Sequence, residues 1–260
     1  MEEEHVHYEV SGPAARLVID RPKARNALSA RAIEKLLEGI ARAEADPAVR
    51  VIVLTGSGGT IFCAGGDLTS MAGGDGFLAG HERRRAYGLL MRRIQDATLP
   101  TIARVNGHAL AGGLGLVLAC DVAIAASSAE LGLPEIDVGL FPMQVIALLQ
   151  RHVGRKRALE LVMAGDRLSA QQALEWGLLN RVVPPAELDG AVAAMVEKLA
   201  GKSRAVLELG RRAFYTAEDL PLGPAVEHLA TQLSLNVLLE DAGEGVSAFL
   251  DKRRPRWKDK

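Results

Sequence analysis

Aromatic residues are scarce, 4% of 260 positions, so the core must be built mainly from Val, Ile, Leu and Ala. Cysteine is scarcer still. Cys63 and Cys120 lie far apart, a spacing that suggests neither a disulfide framework nor a zinc site, so no metal is expected. Free thiols fit a reducing cytoplasm. No sign of charge dominates: the formal net charge is -1 with 24% charged residues, which gives no electrostatic footing for nucleic acid. The one concentrated basic stretch is the tail Lys252–Lys260. Long hydrophobic runs are missing too, since the longest, Ala109–Cys120, contains Gly112, Gly113 and Gly115 and is too short to cross a bilayer. The opening Met1-Glu2-Glu3-Glu4 has the wrong charge for a signal peptide, so a cytoplasmic location away from membranes is expected. Neither the dinucleotide fingerprint G-x-G-x-x-G nor the phosphate loop G-x-x-x-x-G-K-[ST] is present, and there is no G-x-S-x-G elbow for a serine nucleophile.

What is present alternates strand and helix signals. Tyr8–Val10 and Arg16–Asp20 read as strands around a Ser11-Gly12-Pro13 turn. Ser29 reads as an N-cap for a helix with Ile33, Leu36, Leu37, Ile40 and Ala41 on one face. Val51–Thr55 is apolar on both faces, as a buried parallel strand is. Strands are also expected at Ile61–Cys63, Thr101–Val105, Val122–Ala125, Ala129–Gly132 and Asn180–Val183. Met71–Gly80 is glycine-rich and reads as mobile, and a polar helix is expected around Tyr87, Leu90, Met91 and Ile94. Ser169 with Gln172 forms a capping-box pair. Helices through Leu188–Leu199, Ala205–Tyr215, Ala225–Leu239 and Asp241–Leu250 complete an α/β region followed by helices alone.

Chemistry concentrates in two glycine-rich loops. The first is Phe62-Cys63-Ala64-Gly65-Gly66-Asp67-Leu68, and the second is Asn106-Gly107-His108-Ala109-Leu110-Ala111-Gly112-Gly113-Leu114-Gly115, which runs into a helix N-terminus. Unpaired N–H groups and a partial positive charge at such an end suit a developing oxyanion. Glycine lets a ligand approach the backbone closely. Either loop alone is more often just a turn.

The joint pattern is specific. Arg21-Pro22-Lys23-Ala24-Arg25-Asn26-Ala27-Leu28 resembles the R-P-x-x-x-N-A-L start of the enoyl-CoA hydratase/isomerase (crotonase) superfamily. The two loops resemble its A-G-x-D-L and N-G-x-A-x-G-G-G segments, and Cys120-Asp121-Val122 and Pro134-Glu135-Ile136 resemble its C-D-[IV] and P-E-[IV]. Gly177-Leu178-Leu179 through Val183, and Ala248-Phe249 through Arg253, extend the likeness to the C-terminus. The resemblance implies an α/β spiral of ββα units like that of the Clp peptidase, with residues 1–200 as core and 201–260 as a helical region that forms a homotrimer or dimer of trimers. It implies an acyl-CoA thioester substrate, with no cofactor beyond the CoA it carries. The backbone N–H groups of Gly66 and Gly112 would hold the thioester oxygen. Ala64, Asp67 and Leu68 would line the pantetheine and adenine path, and Arg25 would reach a CoA phosphate or simply face solvent.

One departure matters. Hydratases of the family use two glutamates; the second corresponds to Glu135, whereas the first falls on Gly115. A single carboxylate suits a proton shuttle, the logic of Δ3,Δ2-enoyl-CoA isomerases, although family members named hydratases share this pattern. A catalytically weak member that binds acyl-CoA or a protein partner is the reading from another class. Hydrolysis is disfavoured by the lack of a serine that a histidine serves at either loop. Asp137 is a poor substitute base, His108 reads as helix-turn packing, and Cys63 as a small core residue.

Overall fold

The structure is a computed structural model that describes residues 5–67 and 76–260. Its organising unit is a strand in one sheet, a strand in a second sheet, and a helix. β1 (Val6–Ser11) and β2 (Ala14–Ile19) form the expected antiparallel hairpin, and α1 (Ala30–Ala45) follows from Ser29, whose side chain accepts the Ala32 N–H. β3 (Val51–Gly56) then enters the first sheet and β4 (Ile61–Cys63) the second, before α2 (Phe77–Gln95). The next turn repeats this with β5 (Thr101–Val105), β6 (His108–Leu110) and α3 (Gly112–Ala119). β7 (Val122–Ala126), β8 (Glu130–Gly132) and α4 (Ile146–Ala164) make the third turn. β9 (Arg167–Ser169), α5 (Ala170–Glu175) and β10 (Arg181–Val183) close the spiral, with both bonds of the Ser169–Gln172 capping box formed.

The first sheet runs β1-β2-β3-β5-β7-β10, parallel except for the opening hairpin; the second runs β4-β6-β8-β9. Both faces of the first sheet are covered. Ile52 and Leu54 enter the main core with α1 and α2, while Val51 and Val53 meet Leu188, Val192 and Val196 of α6 (Leu188–Ala200) on the other side. Double burial is why this strand shows no polar alternation, and each such side chain contributes about 1.5–3 kcal/mol.

β6 and β9 are strands that the sequence reading leaves in a turn and an uncommitted stretch. The glycine-rich reading of Met71–Gly80 also needs correction in part: residues 71–75 lie outside the described residues, but Phe77 to Gly80 already belong to α2. Leu68 lies outside them as well.

After α6 come α7 (Arg204–Glu218), α8 (Leu222–Asn236) and α9 (Glu240–Leu250). α7 is clamped to the spiral by Asp121, which receives Arg211 Nε and Nη2 at 2.8 and 2.9 Å, the Tyr215 hydroxyl at 2.7 Å and the Thr101 N–H at 2.7 Å. The basic tail is not a loose arm. Arg50 donates Nη2–H to Asp259 Oδ1 at 2.9 Å, Arg204 donates its N–H to the same oxygen at 2.8 Å, and the Trp257 indole N–H reaches Gly201 O at 2.8 Å. Among the described residues no helix is long and apolar enough to cross a membrane, and no group of three or more His, Cys, Asp or Glu could hold a metal ion.

Candidate active site

Local hydrogen bonds explain how the first loop is held. Asn26, buried with φ +55°, accepts the Arg21 N–H at 3.0 Å and donates to Ser57 O and Ile61 O at 3.0 and 2.9 Å. Arg21 sends one guanidinium N–H to Ala27 O and another to Asp67 Oδ2 at 2.9 Å. Asn106 matches this from the second loop, accepting from Gly56 N at 3.1 Å and donating to Gly58 O at 2.9 Å. Arg21 therefore binds both Asn26 and Asp67, whose carboxylate it engages, while Asn106 and Asn26 share Ile61 O as acceptor. Arg25 is exposed and its carbonyl accepts the Ala64 N–H at 3.1 Å, which puts Arg25 and Ala64 side by side at the rim.

The candidate oxyanion donors are aimed by the same scaffold. Leu28 receives the Asp67 N–H at 3.1 Å and donates to Gly65 O at 2.7 Å, a parallel bridge centred on Gly66. In that pattern the N–H and C=O of Gly66 itself point away from Leu28. Gly112 is the first residue of α3, and the Leu114 and Gly115 N–H groups turn back to Ala111 O at 3.0 and 3.4 Å. The Gly112 and Gly113 N–H groups therefore have no acceptor within the helix. Ala111 itself sits at φ 52°, ψ -130°, a conformation costly for a residue with a Cβ, and this kink turns the helix start toward the first loop. The two loops meet at Gly65, where φ is +96° and a Cβ would lie 2.6 Å from Ala111 Cβ and 2.9 Å from Gly112 N. Only glycine permits that approach.

Glu135 arrives from the third turn of the spiral. β8 pairs with β6, Gly132 O accepts the Ala111 N–H at 2.9 Å, and the short 3-10 turn Pro134–Val138 then carries Glu135 beside the second loop. Its Oε2 is buried with no hydrogen-bond partner. Burial pushes its pKa above the ordinary carboxylate value, opposed in part by a bond from its own backbone N–H. Asp137 faces outward and is exposed.

Of three further positions, Cys63 is the small core residue its sequence reading expects, whereas His108 and Tyr87 make contacts that theirs do not contain. His108 belongs to β6, not to a helix turn, and its Nδ1 accepts the Glu130 N–H at 3.0 Å, so it ties β6 to β8. Cys63 is fully buried with its thiol pKa pushed up to about 12 by burial, and its Sγ accepts the Gly65 N–H at 3.4 Å. Tyr87, read only as a helix position, reaches from α2 across the start of α3 and donates its hydroxyl to Gly112 O at 2.7 Å. Burial, then the charges of Cys63 and Glu135 nearby, push its phenol well above the ordinary range, so it stays protonated. No pattern in one sequence pairs a helix tyrosine with a distant glycine loop. A cleft of about 260 Å³ between α2, α4 and α7 is lined by Met91, Arg92, Arg151 and Tyr215.

Two glycine-rich loops that meet at Gly65, with the half-buried Glu135 on the turn that follows β8, are set on a two-sheet spiral. The assignment is direct: the family model for Enoyl-CoA hydratase/isomerase matches residues 11–260, and the chain belongs to that family. It is similar to enoyl-CoA hydratase domain-containing protein 3, mitochondrial, of Danio rerio, 35% identical over 249 residues that cover 96% of this chain and 86% of the relative. A crotonyl-CoA hydratase of Syntrophomonas wolfei is 33% identical over 258 residues, 98% of each chain. The solved structure of an enoyl-CoA hydratase from Mycobacterium smegmatis superposes with a TM-score of 0.94 at 38% identity, covering 98% of this chain and 99% of that one. These likenesses show the crotonase-type fold with its C-terminal helices.

Proposed function

We propose that the protein moves a proton on an enoyl-CoA thioester with Glu135 as its one acid/base, the thioester oxygen being held by the Gly66 and Gly112 N–H groups. The observation that supports this most is the buried, unpartnered Glu135 oxygen, since a carboxylate whose pKa burial raises takes up and returns a proton more readily than an ordinary one. On a β,γ-enoyl thioester, Glu135 removes a C2 proton and the electrons of that bond move toward the thioester oxygen, forming a dienolate. Collapse then makes the C2=C3 bond while C4 takes the proton from Glu135, so no water is consumed. Ala64, Asp67 and Leu68 follow the CoA path and Arg25 takes a CoA phosphate at the rim. CoA enters as part of the substrate, and the exposed faces of α8 and α9 assemble a homotrimer or a dimer of trimers.

Gly115 favours this isomerisation, because it leaves no carboxylate at that position to activate water. Hydration is the second reading, supported by the printed names of the Syntrophomonas and Mycobacterium relatives. A cytoplasmic location is supported by the two buried free thiols, whereas the Danio rerio relative is named as mitochondrial; cell fractionation distinguishes them. The deciding assay offers purified protein a 3-enoyl-CoA and crotonyl-CoA and follows the absorbance of the conjugated thioester. Formation of conjugated product supports isomerisation, loss of crotonyl-CoA absorbance supports hydration, and binding without turnover supports a weak binding member.

A further inference from the structure

Position 115 is more than an empty place. A Cβ built on Gly115 would lie 2.0 Å from the Tyr87 hydroxyl oxygen, 3.0 Å from Met91 Sδ and 3.1 Å from Val145 Cγ2. The first of these is far inside any non-bonded contact. The same ring lies 3.2–3.3 Å from a Cβ placed on Gly112. Gly112 and Gly115 are one turn apart on α3, so the tyrosine covers one face of that first turn. Its hydroxyl is fixed there by the 2.7 Å bond to Gly112 O.

We propose that Tyr87 is the specificity-determining residue of the site, filling with a neutral hydroxyl and ring the volume that a carboxylate at position 115 and its activated water would need. The inference rests on the acyl-thioester reading above and deepens it. With that volume closed, an enolate held at Gly66 and Gly112 meets Glu135 as its one proton carrier among the described residues. The phenol cannot replace the missing base, because burial and the neighbouring charges keep it protonated. The geometry also alters what Gly115→Glu would do: in the presence of Tyr87 the new side chain has no room, so installing a second carboxylate requires both positions to change.

The test compares wild type, Gly115→Glu, Tyr87→Ala and Tyr87→Ala/Gly115→Glu, each checked for folding by circular dichroism. Products from crotonyl-CoA and from a C2-deuterated 3-enoyl-CoA are measured. Gly115→Glu alone should gain no hydration, whereas the double variant should raise the ratio of hydration to isomerisation at least about a hundredfold, the low end for a positioned base. Tyr87→Ala alone, which needs no new side chain, should lower the fraction of deuterium carried from C2 to C4, because water now reaches the enolate. A folded double variant whose product ratio equals that of Gly115→Glu would overturn the role of Tyr87. If the double variant does not fold, unchanged deuterium retention in Tyr87→Ala overturns it equally. Titration with acetoacetyl-CoA keeps the two levels apart, since a wild type that binds no acyl-CoA removes the function itself, and one that binds and turns over leaves only Tyr87 in question.

Discussion

A carboxylate that must lose and regain a proton needs a pKa lifted from its ordinary value, and Glu135 has this because burial disfavours its charged form. Glu135→Gln keeps the shape and removes the proposed base, so turnover should fall about 10²–10⁴-fold while acetoacetyl-CoA binding is retained. In the wild type, kcat for a 3-enoyl-CoA should decline as pH falls through a value above the roughly 4.3 of free glutamate. Stability carries the same signature. A raised folded-state pKa means that the stabilisation is complete below the ordinary value and lost as pH rises through the raised one. The Gln variant should therefore melt higher than wild type at neutral pH, and the gap should close below about pH 4. Equal melting temperatures across the whole range would show that the carboxylate is solvated.

At the scale of elements, the decisive contact is the meeting of the first loop with the start of α3. Gly112 occupies the first helical position, where proline's fixed φ is best tolerated, so Gly112→Pro deletes one candidate donor with little harm to the helix. Loss of such a donor costs roughly 10²–10³ in turnover. Gly112→Ala is the control, since it keeps the N–H and asks only that Tyr87 yield a few tenths of an ångström. If alanine and proline lower kcat equally, the defect is steric and Gly112 is not a donor. Gly65→Ala should separate the two loops, because its Cβ would strike Ala111 and its φ is +96°. Its expected phenotype is lost turnover in a protein that still folds, read by circular dichroism beside the assay.

For the whole molecule, the question is what covers the C-terminal helices. α8 buries none of its residues within one chain, and Leu222, Val226, Leu233, Leu238 and Phe249 are all more than half exposed. Apolar faces of this extent mark an interface. Sedimentation of the full chain should give a trimer or hexamer, Leu233→Glu should shift it toward monomer, and deletion after about Lys202 should leave a monomer or an aggregate. A full-length chain that sediments as a monomer would contradict the assembly. The tail has a separate role: Asp259 ties residues past α9 to Arg50 beside β3, its carboxyl held low by that guanidinium. Asp259→Asn should lower stability by about 1–2 kcal/mol at neutral pH, and by progressively less as acid protonates the wild-type carboxylate.

Local patterns were enough to place much of the chain. The Ser29 cap, the Ser169–Gln172 box and the doubly apolar Val51–Thr55 run are readable from neighbours a few residues apart, because capping and strand burial are short-range or periodic effects. The two loops and Glu135 were legible only as a joint resemblance, and their roles remain tied to it. β6 and β9 escaped, although β4 of the same length was legible, because His108–Leu110 and Arg167–Ser169 lack the unbroken apolar run of Ile61–Cys63; His108–Leu110 is a strand only because β4 and β8 flank it. Asp121 looked like one letter of a motif and proves to be the clamp on α7. The sequence by itself determined the family, most of the elements and the missing carboxylate at Gly115. Tertiary structure alone decided that Tyr87 stands in that space, that Glu135 Oε2 is buried without a partner, and that Gly65 touches Gly112, because each depends on chain segments that meet only when successive turns of the spiral stack.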